Sequence, residues 1–512
     1  MLDMFDTTAL LRLYAGGRLR AIDALEPVRA QAHELLQLLG KARDTRFGRD
    51  HDFAAVGSVE DFQRRVPLGR YENFWEAYWK PAFPLLDDCT WPGRIPTFAV
   101  TSGTTSGVTK HIPCSHEMIR ADRRAALDLL AYHLAARPDS RLLGGYNFML
   151  GGSTELVELA PGVHDGDLSG IIAKNIPWWA RLRYYPPRHL ETIADWQEKI
   201  AKLAPGSLER DIRAISGTPS WLLVFFDKLA ELRPGAERRL VDFYPNLELL
   251  IHGGVNWAPY RKTFAELLEG GHAETREVYA ASEGLIALAD RGDGEGLRLV
   301  LDNGLFFEFV PVDELDSPDP TRHWVATVET GVNYAIALST CAGLWAYLVG
   351  DTVAFVDLDP PRILVTGRTS YTLSAFGEHL IAAEIEESVS AAADAIGASV
   401  TDYAVGPLFP GKEGELGGHL YVVEFAEAPP EAARLETFAR VLDRALSATN
   451  EDYAAHRAGG YGLDAPRVHA VAPGRFAAWM KARDQLGGQH KVPRIVNDPA
   501  LFQSLRDFMG CT

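Results

Sequence analysis

Short apolar runs recur along the first 370 residues of this chain, and stretches with helical spacing separate them. The runs cover residues 221–226, 247–251, 277–279 and 305–310. Short runs of this kind between helices are typical of strands that are buried on both faces of a sheet. The alternation predicts an α/β fold of large mixed β-sheets with packed helices.

The end of the chain repeats the alternation on a smaller scale. Residues 382–393 and 431–448 have helical spacing, whereas residues 420–425 resemble a strand. At 512 residues the chain exceeds what one hydrophobic core ordinarily organises. We therefore predict a large N-terminal domain over residues 1–370 and a small α+β C-terminal domain over residues 371–512.

Composition limits the partners of this protein. The 69 acidic and 51 basic residues give a formal net charge of −18, which opposes extended contact with nucleic acid or an anionic membrane surface. The four cysteines lie far apart in the sequence, and no export signal opens the chain. We therefore expect a cytoplasmic protein that acts on small molecules.

A segment rich in Ser, Thr and Gly follows a further short apolar run and reads TSGTTSGVTKHIP over residues 101–113. Gly103 and Gly107 allow the backbone to approach a ligand closely, and hydroxyl and amide groups donate to anionic oxygens. The spacing is not that of a Walker A loop, because Lys110 does not directly follow Gly107 and Pro113 prevents a helix from starting there. A strand–loop–strand phosphate cradle and an ordinary polar hairpin turn both remain open.

Further motifs follow this segment in a fixed order. They are VYAASEG at residues 278–284, LFFEFVP at residues 305–311, LWAYLVGD at residues 344–351, GR at residues 367–368 with FGEH at residues 376–379, and GGQHKVPR at residues 487–494. Together with the segment at residues 101–113, this series resembles the acyl acid amido synthetases of the auxin-responsive type, a branch of the adenylate-forming enzymes. The ordered blocks span about four fifths of the chain.

The resemblance implies an adenylate-forming fold, in which a large N-terminal domain binds nucleotide and acid and a small mobile C-terminal domain acts as a lid. It also implies an ATP- and Mg²⁺-dependent ligase. Such an enzyme adenylates a carboxylic acid and passes the acyl group to an amine, expected to be an amino acid, with release of AMP and pyrophosphate. The expected partners are therefore small-molecule acids and amines.

The resemblance also assigns candidate site residues. Those expected to hold the phosphates are Thr101, Ser102, Gly103, Thr104, Thr105 and Lys110. Tyr279 and Ser282 are expected at the nucleotide. Glu283 matches the family's acidic residue beside the nucleotide, where a carboxylate binds Mg²⁺ together with phosphate oxygens. Read by itself, Glu283 is a solvated surface glutamate.

Three more candidates lie further along the chain. Asp351 matches the position that accepts hydrogen bonds from the ribose hydroxyls, and Arg368 is similar to the hinge arginine of the superfamily. Lys491 matches the residue that the C-terminal domain brings to the active site in one orientation. Without the family, the three read as a turn aspartate, a salt-bridged arginine and a surface lysine.

Three positions depart from the family's pattern. Val108, Ala346 and His379 stand where relatives carry lysine, arginine and lysine, respectively. Each difference removes a cation near the nucleotide or the hinge. Two alternatives therefore stay open: a ligase that transfers the acyl group to coenzyme A and forms a thioester, and a ligand-binding homologue with impaired catalysis.

Overall fold

The structure is a computed structural model and divides into two compact units. One comprises Met1–Val349 with Val353–Val365, and the other comprises Gly350–Thr352 with Thr366–Thr512. The residues that the structure describes are 6–102, 109–151, 154–193, 196–234, 239–254, 257, 260–315, 317–369, 372–373, 380–408, 417–450, 453–454, 457, 463–483, 485 and 491–511.

Helices are distributed along both units. Those of the first unit are α1 (Thr8–Asp23), α2 (Pro27–Ala42), α3 (Arg46–Asp50), α4 (Val59–Arg65), α5 (Tyr71–Phe74), α6 (His116–Ala136), α7 (Leu168–Lys174), α8 (Trp178–Arg181), α9 (Arg188–Glu191), α10 (Trp196–Leu208), α11 (Pro219–Leu232), α12 (Leu240–Phe243) and α13 (Arg261–Leu268). Those of the second are α14 (Ala382–Ala395), α15 (Ala432–Thr449), α16 (Arg475–Ala482) and α17 (Pro499–Met509). Across the described residues, no helix is both long and apolar enough to cross a bilayer.

The strands alternate with these helices. They are β1 (Thr97–Ser102), β2 (Thr109–Cys114), β3 (Tyr146–Leu150), β4 (Val157–Ala160), β5 (Val163–Gly166), β6 (Tyr184–Tyr185), β7 (Ile212–Gly217), β8 (Leu249–Gly253), β9 (Glu274–Ala281), β10 (Gly284–Leu288), β11 (Leu297–Leu299), β12 (Leu305–Pro311), β13 (Asn333–Thr340), β14 (Tyr347–Leu358), β15 (Pro361–Arg368), β16 (Thr372–Leu373), β17 (Leu380–Ile381), β18 (Val400–Leu408), β19 (Gly418–Phe425) and β20 (Arg467–Val471).

The largest sheet of the described chain is mixed. Its eleven strands have the order β12-β13-β14-β15-β11-β10-β9-β8-β7-β3-β6. Neighbours from β9 to β6 run parallel, whereas β9, β10, β11 and β15 pair antiparallel in succession. A four-stranded sheet has the order β2-β1-β5-β4. Together with the packed helices, these sheets confirm the predicted α/β class.

One predicted strand is wrong, because residues 221–226 lie within helix α11. The helix starts with Pro219 at its first turn, a position that proline tolerates. Its fully buried residues Leu222, Phe225 and Leu229 recur at helical spacing, and Val224 between them is 50% exposed. A continuous apolar run does not distinguish a strand from a buried helix, and here the residues after the run continue the helical period.

The reading of Asp351 as a turn residue is also wrong. Strand β14 begins at Tyr347 and continues to Leu358, so Asp351 lies inside it. The Gly-Asp pair suggested a turn because both residue types favour turns. Instead, Gly350 adopts a positive φ of 92° within the strand, and pairing continues beyond it.

The second unit is built on a three-stranded sheet. β18 pairs antiparallel to β19, and β20 runs parallel to β19. One face of this sheet packs against α14 and α15, and the other packs against α16 and α17. β19 is therefore buried along its whole length, with Tyr421 and Val423 facing one cluster and Leu420 and Val422 facing the other.

A buried ion network anchors α6 to the large sheet. Nδ1 of His133 lies 2.7 Å from a carboxylate oxygen of Glu274 on β9. Nε2 lies 3.1 Å from the hydroxyl of Ser140, which in turn donates to Glu248. Burial alone would lower the pKa of His133, but the hydrogen bonds to Glu248 and Glu274 raise it. Breaking a buried pair of this kind costs about 3–5 kcal/mol, so α6 is firmly held.

Candidate active site

The ends of the Ser/Thr/Gly segment form a hairpin, as the strand–loop–strand prediction expects. In the antiparallel register of β1 and β2, Thr101 lies opposite Lys110 and Ser102 lies opposite Thr109. The hairpin thus brings the backbone of these candidates to one end of the four-stranded sheet. The candidates Gly103, Thr104 and Thr105 lie outside the described residues.

Lys110 is held by side chains of α5. Its ammonium nitrogen lies 5.4 Å from the centroid of the Tyr71 ring and 4.0 Å from a carboxylate oxygen of Glu72. The Tyr71 hydroxyl also accepts a hydrogen bond of 3.1 Å from the N–H of His111. The Lys110 side chain is 24% exposed, so a ligand can reach a cation whose range of positions the Tyr71 ring restricts.

Glu283 lies in the two-residue turn that joins β9 to β10. It is only 7% exposed, so the structure does not support the reading of Glu283 as a solvated glutamate. The next residue, Gly284, has a φ of 143°, and a Cβ there would meet Met118 and Leu305 at 3.2 Å. Glycine therefore allows the turn to pack closely against α6 and β12.

Tyr347, at the start of β14, orients the carboxylate of Glu283. Burial, followed by the negative charge of Glu283, raises the pKa of Tyr347 well above its ordinary value. The hydroxyl therefore stays protonated and donates a hydrogen bond to Glu283. An oriented, buried carboxylate at a hairpin turn is suited to bind a cation.

Asp122 of α6 supports the strand that follows the turn. The pairing of β10 with β9 is irregular between Leu285 and Ala287, where its register shifts. The N–H of Leu285 donates a hydrogen bond of 3.1 Å to Asp122. Burial raises the pKa of Asp122 to about 7. The irregular pairing next to Glu283 is thus tied to α6.

Asp351 and Arg368 form an ion pair in the second unit. Nε of Arg368 lies 2.9 Å from a carboxylate oxygen of Asp351, and the two side chains are 40% and 17% exposed, respectively. The N–H of Thr369 donates to the carbonyl of Gly350 at 2.8 Å, which holds the end of β15 beside Asp351. The structure therefore brings together two residues that the resemblance assigned to separate roles.

Lys491 belongs to the same group of charges. Burial, then the positive charges of Arg368 and Arg494, lower the pKa of Lys491 to about 8, whereas Asp351 raises it. The ammonium is thus surrounded by protein atoms and neighbouring cations, although the residue as a whole keeps an exposed surface. At neutral pH the ammonium is still mostly protonated, so the second unit presents a cluster of cations around one carboxylate.

Two of the other candidates are more enclosed than their predicted roles suggest. Tyr279 is 8% exposed and packs in the main hydrophobic cluster of the first unit, and Ser282 is half-buried in the turn before Glu283.

Ala346, one of the departures from the family, is fully buried with a φ of 45°. Its N–H donates to the hydroxyl of Ser339 at 2.9 Å, so position 346 is part of the core. The departures Val108 and His379 lie outside the described residues.

Three residues that support the site are not among the candidates that the sequence indicates: Tyr347, Asp122 and Arg494. Asp122 had a detectable signal, because it shares the helical spacing of the buried residues Met118, Ala125 and Leu129, and a carboxylate on an apolar helix face indicates a specific partner. Tyr347 and Arg494 lie in the motifs at residues 344–351 and 487–494, but nothing local in those motifs indicates their partners. Their partners Glu283 and Asp402 are distant in sequence.

A cavity of about 440 Å³ lies away from the candidate residues of the first unit. It is lined by the start of β9 and by the segment after β10, at the opposite end of this hairpin from Glu283. The charged side chains around it are paired, Arg261 with Asp293 at 2.6 Å and Arg276 with Glu274 at 2.6 Å. Asp290 and Arg291 are also paired, with Arg362 and Asp357, so the described residues that line the cavity present no unbalanced charge.

Three models of one family match the chain in order: the GH3 family N-terminal domain at residues 23–146, the central domain at residues 298–368 and the C-terminal domain at residues 383–500. Together they cover more than half of the 512 residues.

Curated relatives and solved structures agree with these models. A rice protein (Oryza sativa subsp. indica), indole-3-acetic acid-amido synthetase GH3.8, is 28% identical over 51% of this chain and 46% of its own length. The matched region thus spans about half of that relative. Indole-3-acetic acid-amido synthetase GH3.2 of Arabidopsis thaliana is 26% identical over 71% of this chain and 78% of its own length.

Among the solved structures, GH3.15 acyl acid amido synthetase in complex with 2,4-DB matches with a TM-score of 0.80 at 18% identity, over 99% of this chain and 97% of that one. A 2-hydroxyisobutyryl-CoA ligase in the postadenylation state matches with a TM-score of 0.60 at 16% identity, over 94% and 91%. At these identities the matches show that this chain shares the fold of the two enzymes.

Proposed function

Because this chain belongs to the GH3 family, we propose that it is an ATP- and Mg²⁺-dependent ligase that adenylates a carboxylic acid and transfers the acyl group to an amine, proposed to be an amino acid. The observation that carries the proposal is the charge group of Lys491, Arg368 and Asp351, at the positions that the resemblance assigns to catalysis, hinge and nucleotide. The names of the relatives, which are amido synthetases, support an amide as the product.

The first step joins a carboxylate oxygen to the α-phosphorus of ATP and displaces pyrophosphate. Two anions must approach each other, so fixed cations and N–H donors lower the barrier. We assign this role to Lys491 and to residues 101–110. In the second step the amine nitrogen attacks the acyl carbon, the bond from that carbon to the AMP oxygen breaks, and the nitrogen loses a proton. The products are the amide and AMP.

Glu283 is the proposed ligand for Mg²⁺. Its buried carboxylate, oriented by Tyr347, is a hard donor of the type that this cation prefers. Mg²⁺ at nucleotide sites is bound by one or two carboxylates together with phosphate oxygens and water. The described residues contain no cluster of three potential metal ligands, which fits a cation held mainly by phosphates. When bound, the cation would neutralise phosphate charge.

We further propose that residues 1–370 bind the nucleotide and the acid and that residues 371–512 act as a mobile lid. Such a lid would deliver Lys491 for adenylation in one orientation. The cytoplasm remains the proposed location, and its support is that Cys89, Cys114, Cys341 and Cys511 are buried free thiols.

The test is the exchange of labelled pyrophosphate into ATP with a panel of carboxylic acids, followed by trapping of the acyl group. We expect exchange that depends on the acid, and amide formation when amino acids are added. Absence of exchange with every acid would favour the ligand-binding homologue with impaired catalysis. Exchange followed by transfer to coenzyme A alone would instead favour the thioester-forming ligase, whose fold this chain shares.

Asp351 gives a separate test of nucleotide binding. If its carboxylate accepts from the ribose hydroxyls, Asp351→Ala should weaken ATP binding by about 1.5–3 kcal/mol, the usual contribution of hydrogen bonds to a charged group. Calorimetric titration with ATP measures this change. Asp357→Ala is the matched control, because Asp357 lies on the same strand and pairs with Arg362 at 2.7 Å. Unchanged ATP affinity in folded Asp351→Ala would remove Asp351 from the site.

A further inference from the structure

The segment after Lys491 is attached to the edge of the sheet in the second unit. The N–H of Val405 on β18 donates to the carbonyl of Arg494 at 2.7 Å, and the N–H of Val496 donates to the carbonyl of Val405 at 2.8 Å. Ile495 and Val405 thus form a parallel β-bridge. The short segment therefore extends the sheet by a few residues.

The register of this segment is set by burial. Ile495 is 4% exposed and packs in the cluster that contains α14 and α15, whereas Val496 is 2% exposed and packs in the cluster on the opposite face. A slip by one residue would exchange the two faces and place Arg494 in an apolar cluster. The bridge therefore has one favourable register.

Arg494 reinforces the attachment through its side chain. Nη1 of Arg494 lies 2.6 Å from a carboxylate oxygen of Asp402 on β18. The guanidinium carbon lies 4.4 Å from the centroid of the Tyr403 ring, and Tyr403 is 3% exposed. A planar guanidinium that pairs and stacks at the same time has little freedom, and lysine cannot reproduce this geometry.

Lys491 lies just before this attachment, and Pro493 restricts the backbone between it and Arg494. We propose that Arg494 is a positioning residue for Lys491: its pairing with Asp402 and its stacking on Tyr403 hold the segment on β18, so that the Lys491 ammonium is presented at one place beside Asp351 and Arg368. The functional part of this inference rests on the proposed adenylation reaction, and the structural part does not.

The activity test is a double-mutant cycle. Arg494→Lys and Asp402→Asn should each lower pyrophosphate exchange on the order of tenfold or more, because small misplacements of a catalytic group are costly. ATP affinity and amide formation from a synthetic acyl-adenylate should change much less. In the background of Lys491→Ala, Arg494→Lys should lower exchange little further, because the ammonium that Arg494 is proposed to position has already been removed. Additive losses, or equal losses in both steps, would overturn the positioning role.

Arg457→Gln is the matched control for stability. Arg457 pairs with Asp443 in the same unit at 2.7 Å, with side-chain exposures of 21% and 25%, against 26% and 23% for Arg494 and Asp402. Arg457→Gln removes an ion pair of comparable exposure from the same unit, at a position distant in sequence from Lys491. We expect unchanged exchange in this variant when folding is confirmed by circular dichroism.

A measurement independent of activity follows the titration of the Lys491 ammonium by NMR. The lysines are isotopically labelled, and the signal of Lys491 is assigned as the one that Lys491→Ala lacks. Burial, then the positive charges of Arg368 and Arg494, lower the pKa of Lys491 to about 8, whereas the charge of Asp351 raises it. The signal should therefore titrate near pH 8 in the unmodified protein. In Asp402→Asn, which keeps the charge of Arg494 but loses its ion pair, the signal should move to higher pH.

Titration at the ordinary lysine value in the unmodified protein, or an unchanged value in Asp402→Asn, would overturn the inference. If no acid supports exchange, the proposed function fails, and this titration still decides whether Arg494 positions Lys491.

Discussion

Lys491→Ala is expected to lower the rate of adenylate formation by on the order of 10²–10³, the usual cost of losing one preorganised electrostatic contact. The charge of Lys491 would act mainly on the transition state, in which the carboxylate and the α-phosphate approach each other. Ground-state binding should therefore be spared, and ATP affinity should stay nearly the same. Pyrophosphate exchange and calorimetric titration with ATP measure the two quantities.

A synthetic acyl-adenylate separates this role from a structural one. Attack by the amine on a ready-made adenylate no longer requires the same neutralisation of the α-phosphate, so Lys491→Ala should form amide from it at a much less reduced rate. The comparison is made in one preparation of the variant and with one amine. Equal losses in exchange and in amide formation would show that Lys491 serves the fold or both steps, and the role proposed for it would be wrong.

Glu283→Gln is the second variant for which we expect a large effect. The amide keeps the shape of the carboxylate but loses the charge that Mg²⁺ prefers. Loss of a residue that only supports a metal ligand already costs about 10–100-fold, so loss of the ligand itself should cost at least as much in exchange at low Mg²⁺. The Mg²⁺ concentration that gives half-maximal exchange should rise.

Two further variants make this test specific. Tyr347→Phe removes the hydroxyl that orients Glu283 but keeps the charge, so we expect a smaller rise in the Mg²⁺ requirement. Glu277→Gln is the matched control on β9. Burial raises the pKa of Glu277 to about 7, so an amide there changes little charge below neutral pH. If Glu283→Gln lowers activity while the Mg²⁺ dependence stays the same, Glu283 orients the substrate and does not bind the metal.

Much of the fold could be read from local patterns. The apolar run at residues 247–251 overlaps strand β8, the run at residues 305–310 lies in strand β12, and the helical spacing at residues 382–393 lies in α14. The helix is well determined because one periodicity fits it over more than three turns, whereas the two short runs favour a strand mainly by their length. The run at residues 221–226 failed because six consecutive apolar residues suit a buried helix as well as a strand.

The sequence by itself determined which side chains are candidates for the site. The ordered motifs place Glu283, Asp351, Arg368 and Lys491 in segments that resemble those of a known family, because motifs preserve residue type and local spacing. They also determined the Ser/Thr/Gly hairpin, since two short strands that flank a glycine-rich loop pair locally.

Only the tertiary structure decided how these groups are held. Glu283 is buried against Tyr347, its strand is tied to Asp122, and Arg494 attaches the segment after Lys491 to β18. Each of these contacts joins residues that are far apart in sequence. Their geometry depends on which strands and helices pack together, which is decided by burial of the whole core and not by any local pattern.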